Sequence, residues 1–184
     1  MEYKGWLAGL LTPSQKVKLK PGTIPFGRMY YEYDIIGPYN IAASIRKYGK
    51  GKIAGTYFNY GERYCNGKTS VARDFFNGLV RELFNKPLVD VKGFHNVDVC
   101  VNRINGKLAI NLVNTSGPHN NKDVYVYDEI PPIGPLKIII RGLSGVSKII
   151  VEPGGNGLDY QIVDGEIHTV LPRLEIHQII VVEE

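Results

Sequence analysis

Between residues 50 and 84 the spacing of apolar positions changes period once. Residues 52–60 are rich in β-branched and aromatic side chains and read as a strand. A polar loop follows. Then Ala72, Phe75, Phe76, Leu79, Val80, Leu83 and Phe84 recur at steps of three and four. That period places them on one face of a helix, predicted over 71–84. Thr69 or Ser70 is placed to cap its start, and Asn85 followed by Pro87 ends it. So wide an apolar face has to lie on something. It is expected to be buried against the 52–58 strand or against another chain.

Upstream, residues 1–49 read as extended pieces divided by turns. Thr12-Pro13-Ser14 breaks the first piece. Lys16-Val17-Lys18-Leu19-Lys20 alternates and reads as a strand with a solvated lysine face. In residues 25–34, Met29, Tyr31 and Tyr33 alternate with Tyr30, Glu32 and Asp34, before Gly37-Pro38 interrupts. Residues 41–48 and 52–60 form a hairpin around Gly49-Lys50-Gly51. The helix covers one face of this small sheet, and the pattern offers nothing for the other.

Beyond Pro87 the helical period disappears. Val97, Val99 and Val101 alternate with Asp98, Cys100 and Asn102 up to Asn105-Gly106, the pair that a type I′ turn favours. Pairing across that turn sets Val101 opposite Ile110 and Val99 opposite Leu112. Further strands are expected at 124–127, 136–141, 148–152, 160–163, 166–171 and 175–182. Asp164-Gly165 forms a turn that sets Ile162 opposite Ile167. Short strands at this spacing are typical of a sandwich. The whole pattern predicts an α+β, mainly β chain. Residues 1–87 form a small strand-rich α/β part with one amphipathic helix, and residues 88–184 an antiparallel β-sandwich.

Composition refines this picture. The 184 residues are 43% hydrophobic, enough for real cores, and the net charge is +4. Basic residues are scattered, which does not indicate a nucleic-acid surface. No apolar stretch approaches the ~20 residues that span a bilayer, and no signal peptide is read, so the cytoplasm is the default location. Cys65 and Cys100 lack metal-type spacing and are expected as free thiols. His95, His119, His168 and His177 form no i,i+2 or i,i+4 pair, so neither a metal nor a cofactor is expected.

Several residues remain candidates for chemistry. Glu32 and Asp34, two apart on a predicted strand, would share a face at about 7 Å by strand rise. That suits the acid pair of an inverting glycosidase, or simply a solvated strand face. Asp128 and Glu129 would point to opposite sides. His119 and Asn120 lie in the polar loop 115–123, where they could contact a sugar or supply local hydrogen bonds. Tyr60 and Tyr64, with Tyr57, and Tyr125 with Tyr127, could stack on pyranose rings or pack the sheets. Glu62 and Arg63 form a polar cluster at a strand's C-terminal end, where open α/β sheets hold ligands. The alternative is a salt-bridged loop that seats the helix. Cys65 has Arg63 nearby but no local histidine to activate it.

The stretches 48–64, 71–84 and 95–117 together resemble the C-terminal end of large glycoside hydrolases. The likeness is to β-galactosidases of glycoside hydrolase family 42 and their relatives. Tyr48 to Lys52 match a "YGKGK" turn, and Val97 to Asn114 match a strand pair of the "V-x-V…GK-L-x-x-N-L-x-N" kind. In that family a catalytic (β/α)8 barrel precedes an amidotransferase-like trimerisation domain and a small C-terminal β-sandwich. This chain lacks the barrel with its two carboxylates, and no G-x-C-x-G elbow surrounds Cys65. The resemblance implies a non-catalytic accessory region. Its expected partners are a catalytic domain or further copies of itself through the α/β part. A carbohydrate-binding module and a small independent glycosidase are the alternatives.

Overall fold

The structure, a computed structural model, describes residues 1–10, 12–32, 35–67, 69–117 and 129–184. The chain forms two compact units, Met1–Lys86 and Pro87–Glu184. It is mainly β, and among the described residues every strand pairing is antiparallel. Among the described residues no helix is long and apolar enough to cross a membrane.

The first unit holds β1 (Glu2–Tyr3), β2 (Trp6–Leu7), β3 (Thr23–Tyr30), β4 (Tyr39–Tyr48) and β5 (Gly51–Thr56), with α1 (Tyr60–Gly67) and α2 (Ser70–Leu83). The strands form one sheet in the order β2-β1-β3-β4-β5. The β4–β5 hairpin turns at Gly49-Lys50, with Tyr48 opposite Gly51. Helix α2 starts as its sequence dictates, with Thr69 accepting the Ala72 N–H at 3.3 Å. Ala72, Phe75 and Leu79 are buried against Ala42, Ala43, Ile45, Met29 and Phe58.

Four expectations for this unit need correction. There are two helices among the described residues, where one was expected. The α2 apolar face is only partly covered: Phe76, Val80, Leu83 and Phe84 are 41%, 39%, 45% and 59% exposed. A single sheet accepts only the three residues that point straight at it. Residues 16–20 form no strand. Val17 and Leu19 are half-buried and the lysines exposed, so the side-chain alternation persists without a ladder. The contacts to β5's continuation stop at a Ser14–Phe58 bridge and a Gln15 N–H to Tyr57 C=O bond of 2.7 Å. Finally, β3 ends at Tyr30, opposite Tyr39, because β4 begins only after Pro38, which has no N–H to donate. Glu32 therefore lies past the strand.

The sheet face away from α2, for which the pattern offers no cover, is largely polar. It carries Ser44 and Arg46, and the Ser44 hydroxyl bonds to that of Tyr57 at 2.6 Å. Ile53 is its exposed apolar residue.

The second unit contains β6 (Val89–Lys92), β7 (Val97–Ile104), β8 (Lys107–Asn114), β9 (Leu136–Ile140), β10 (Lys148–Glu152), β11 (Asn156–Gly157), β12 (Tyr160–Val163), β13 (Glu166–Leu171) and β14 (His177–Glu183). They form a five-stranded sheet, β11-β10-β14-β8-β7, and a four-stranded sheet, β12-β13-β9-β6. The Asn105-Gly106 turn sets Val101 opposite Ile110 and Val99 opposite Leu112, as its chemistry predicts. Asp164-Gly165 likewise sets Ile162 opposite Ile167. Both turns use positive φ at the two central residues. One cluster collects Leu108, Ile110, Leu112, Ile180 and Val182 from the first sheet and Leu136, Ile138, Ile140, Ile167 and Leu171 from the second. The strand expected at 124–127 lies outside the described residues.

Candidate functional site

The Tyr60–Tyr64 region is a helix, not the polar loop expected. Asn59 caps it: its C=O accepts the Arg63 N–H at 3.3 Å, and its side-chain oxygen accepts the Glu62 N–H at 3.4 Å. Glu62 in turn accepts from the Asn59 amide at 2.5 Å. This reciprocal Asn-x-x-Glu arrangement follows the logic of a capping box and is legible in the sequence. Glu62 is thus spent on the cap, and neighbours on a helix surface do not face each other, so no Glu62–Arg63 bridge seats α2. Arg63 Nε is buried without a hydrogen-bond partner. The rule that places ligands at strand C-termini concerns parallel sheets, and this sheet is antiparallel throughout.

The aromatic residues of α1 are engaged. Tyr60 stacks with Tyr64 (5.6 Å, 9°) and with Phe76 (4.7 Å, 13°). Its hydroxyl donates to the Ala72 carbonyl at 3.0 Å. Burial, then the neighbouring Tyr64 and Cys65, push its pKa up to about 12, so it stays a neutral donor at ordinary pH. Tyr60 therefore fastens α1 to α2. Cys65 and Cys100 are exposed, free thiols.

The remaining candidates are scattered. Glu32 is exposed in a bend beyond β3, so the strand geometry that would pair it with Asp34 does not hold for it. Asp34, His119, Asn120, Tyr125 and Tyr127 lie outside the described residues. His177 Nε2 is 3.3 Å from Asn111 Oδ1, and His168 is 3.9 Å from Glu166. Among the described residues no group of three or more His, Cys, Asp and Glu is arranged to hold a metal.

One feature escaped the pattern. The β1–β2 hairpin and α2 enclose a groove of about 560 Å³. Tyr3 and Trp6 are directly opposed across the hairpin and share a face. The facing wall is a helix ladder of Asp74, Asn77, Gly78 and Arg81 at steps of three and four. Two signals pointed here: the single tryptophan, and a glycine in the middle of a helix. Lys4-Gly5 closes the hairpin with Lys4 at φ 51°, an unusual residue there, which hid the turn.

No protein-family model matches the chain, and no curated protein sequence matches it. Among solved structures, α-L-fucosidase isoenzyme 2 from Paenibacillus thiaminolyticus is similar in fold, with a TM-score of 0.65 at 13% identity. The match covers 86% of this chain and 25% of the fucosidase chain. This chain thus spans about a quarter of that protein's length, and what the two share is a fold.

Proposed function

We propose that this chain is a non-catalytic accessory region of a glycoside hydrolase-like protein, acting by packing beside a catalytic domain or by supporting its assembly. The observation that carries the reading is the fold likeness, which takes in most of this chain but only a quarter of a fucosidase chain. In this reading the two sheets of the second unit form a β-sandwich. The first unit, whose sheet is antiparallel throughout, supplies the assembly surface. The half-exposed α2 residues Phe76, Val80, Leu83 and Phe84 support an assembly role, because they form an apolar stripe that a catalytic domain or a second copy would cover.

The test is twofold. An antibody against the second unit, used on lysate of the source cells, is expected to recover a polypeptide or complex that hydrolyses aryl glycosides. The purified 184-residue chain is expected to be inactive on them. Turnover by the purified chain that disappears on Glu32→Gln would overturn the reading in favour of a small glycosidase.

A further inference from the structure

The groove between the β1–β2 hairpin and α2 combines two surfaces of different character. One is aromatic. Trp6 is the only tryptophan of the chain and is 71% exposed. Among the described residues its ring stacks on no other ring or cation, and its Nε1–H has no hydrogen-bond partner. Tyr3, its cross-strand neighbour, is fixed from behind by Phe26 and Phe75 at 5.1 and 5.8 Å. The hairpin that carries Trp6 is therefore anchored, and the indole projects past that anchor towards the helix.

The other surface is polar and mixed in character. Asp74 offers a carboxylate, its side chain 54% exposed and paired with Arg73 at 3.0 Å through one oxygen. Asn77 is exposed, and its amide makes no hydrogen bond among the described residues. Arg81 adds a guanidinium one turn further on. Between them Gly78, with no side chain, lets the Tyr3 phenol lie directly against the helix and form the floor where hairpin and helix meet. A strong acceptor, a group that both donates and accepts, and a strong donor thus stand in a row.

We propose that this groove binds a neutral saccharide, with one pyranose ring stacked on Trp6 and its hydroxyls bonded by Asp74, Asn77 and Arg81. A sugar ring has an apolar C–H face and a rim of hydroxyls that each donate and accept. The groove offers an apolar plate and a rim of matching groups. Asp74 stands beside Lys4 and Arg81 in the lining, so sulfate is the control for a purely electrostatic ligand, while the Asn77 amide would be left unpaired by a purely apolar one. The volume lies within the usual range for a small-ligand site and holds one or two sugar rings. Two larger hollows lack such a plate. In one of about 650 Å³ Arg28 already lies over Tyr39 at 4.9 Å. In one of about 770 Å³ the Tyr160 hydroxyl is bonded to the Val146 carbonyl. The site adds to the accessory role and does not depend on it.

Because Trp6 is the only tryptophan, its fluorescence reports directly on the groove. The purified chain is titrated with lactose, cellobiose, xylobiose and mannobiose, and in parallel with inorganic sulfate. At least one disaccharide is expected to give a saturable shift of emission to shorter wavelength. Isothermal titration with that sugar should find affinity weakened about tenfold by Asn77→Ala, the loss expected of one hydrogen bond to a polar ligand. Trp6→Ala should abolish binding, and Trp6→Phe should keep part of it, with circular dichroism unchanged in all three. The proposal is overturned if no sugar gives a saturable shift, or if Asn77→Ala and Trp6→Ala leave affinity unchanged. A response to sulfate alone, or one that follows protein rather than sugar concentration, overturns it equally.

Discussion

Tyr3 and Gly78 compete for one volume. The phenol of Tyr3 fills the space that a β-carbon at position 78 would need, and the ring cannot retreat, because Phe26 and Phe75 hold it. Glycine inside a helix costs about 1 kcal/mol relative to alanine. Gly78→Ala recovers that term but forces an overlap that costs about 1–3 kcal/mol. A net loss of stability is expected in urea denaturation. Adding Tyr3→Phe removes the hydroxyl that clashes first, so the double variant should be more stable than the sum of the singles predicts. Simple additivity would mean that the two residues do not share the space.

Phe75 and Phe76 are sequence neighbours with different fates. Phe75 is fully buried, whereas Phe76 is 41% exposed and stacks on Tyr60. Phe75→Ala is expected to cost about 3–5 kcal/mol. Phe76→Ala should cost about 1 kcal/mol, the worth of an aromatic pair plus partial burial. Thermal unfolding of the two variants side by side distinguishes them. Equal losses would show that the α2 stripe is covered within the chain itself.

The Tyr60 hydroxyl predicts alkaline behaviour. Its pKa is raised to about 12 in the folded chain from an ordinary value near 10. A raised value means that the unfolded chain loses this proton first. The stabilisation is therefore complete below pH 10 and declines as pH climbs towards 12. Ultraviolet titration should show a late-ionising tyrosine component, and Tyr60→Phe should remove it. If the late component survives the substitution, another phenol is the shielded one.

In the second unit, Arg141 donates to Glu166 at 2.7 Å and to the Pro87 carbonyl at 2.9 Å, with both ionic side chains mostly shielded. Glu166→Gln keeps the shape and removes the charge. A loss of about 1–3 kcal/mol is expected from leaving a shielded guanidinium without its counter-ion. Chemical denaturation at low and at high salt provides the check. A screened surface pair would lose little and be salt-sensitive.

These cases show where sequence reasoning succeeds. The β7–β8 and β12–β13 hairpins were legible to the residue, because Asn105-Gly106 and Asp164-Gly165 fix turn geometry locally and the β period does the rest. Helix α2 was legible from its period and its Thr69 cap. Helix α1 was not, because it buries no residue fully and so leaves no apolar period; only the Asn59–Glu62 cap betrays it. The alternation that runs on from Met29 misled at Tyr31 and Glu32, because a strand lasts only as long as its partner does. The groove was invisible for another reason: Trp6 and Asn77 come to line one groove through a hairpin whose turn residue, Lys4, carries no turn signal.

The turn that orders β7 and β8 also sets a chemical lifetime for the chain. Asn105 is exposed, and Gly106 has no side chain to shield its backbone nitrogen. That nitrogen can attack the Asn105 amide and expel ammonia, and water then opens the ring to aspartate or isoaspartate. Isoaspartate threads an extra methylene into the main chain, at a two-residue turn with no slack to absorb it. The strand that follows supplies Leu108, Ile110 and Leu112 to the core. Ageing at this exposed turn would therefore be felt in the interior. Peptide mapping of stored protein should find the acid form at position 105 before thermal stability declines.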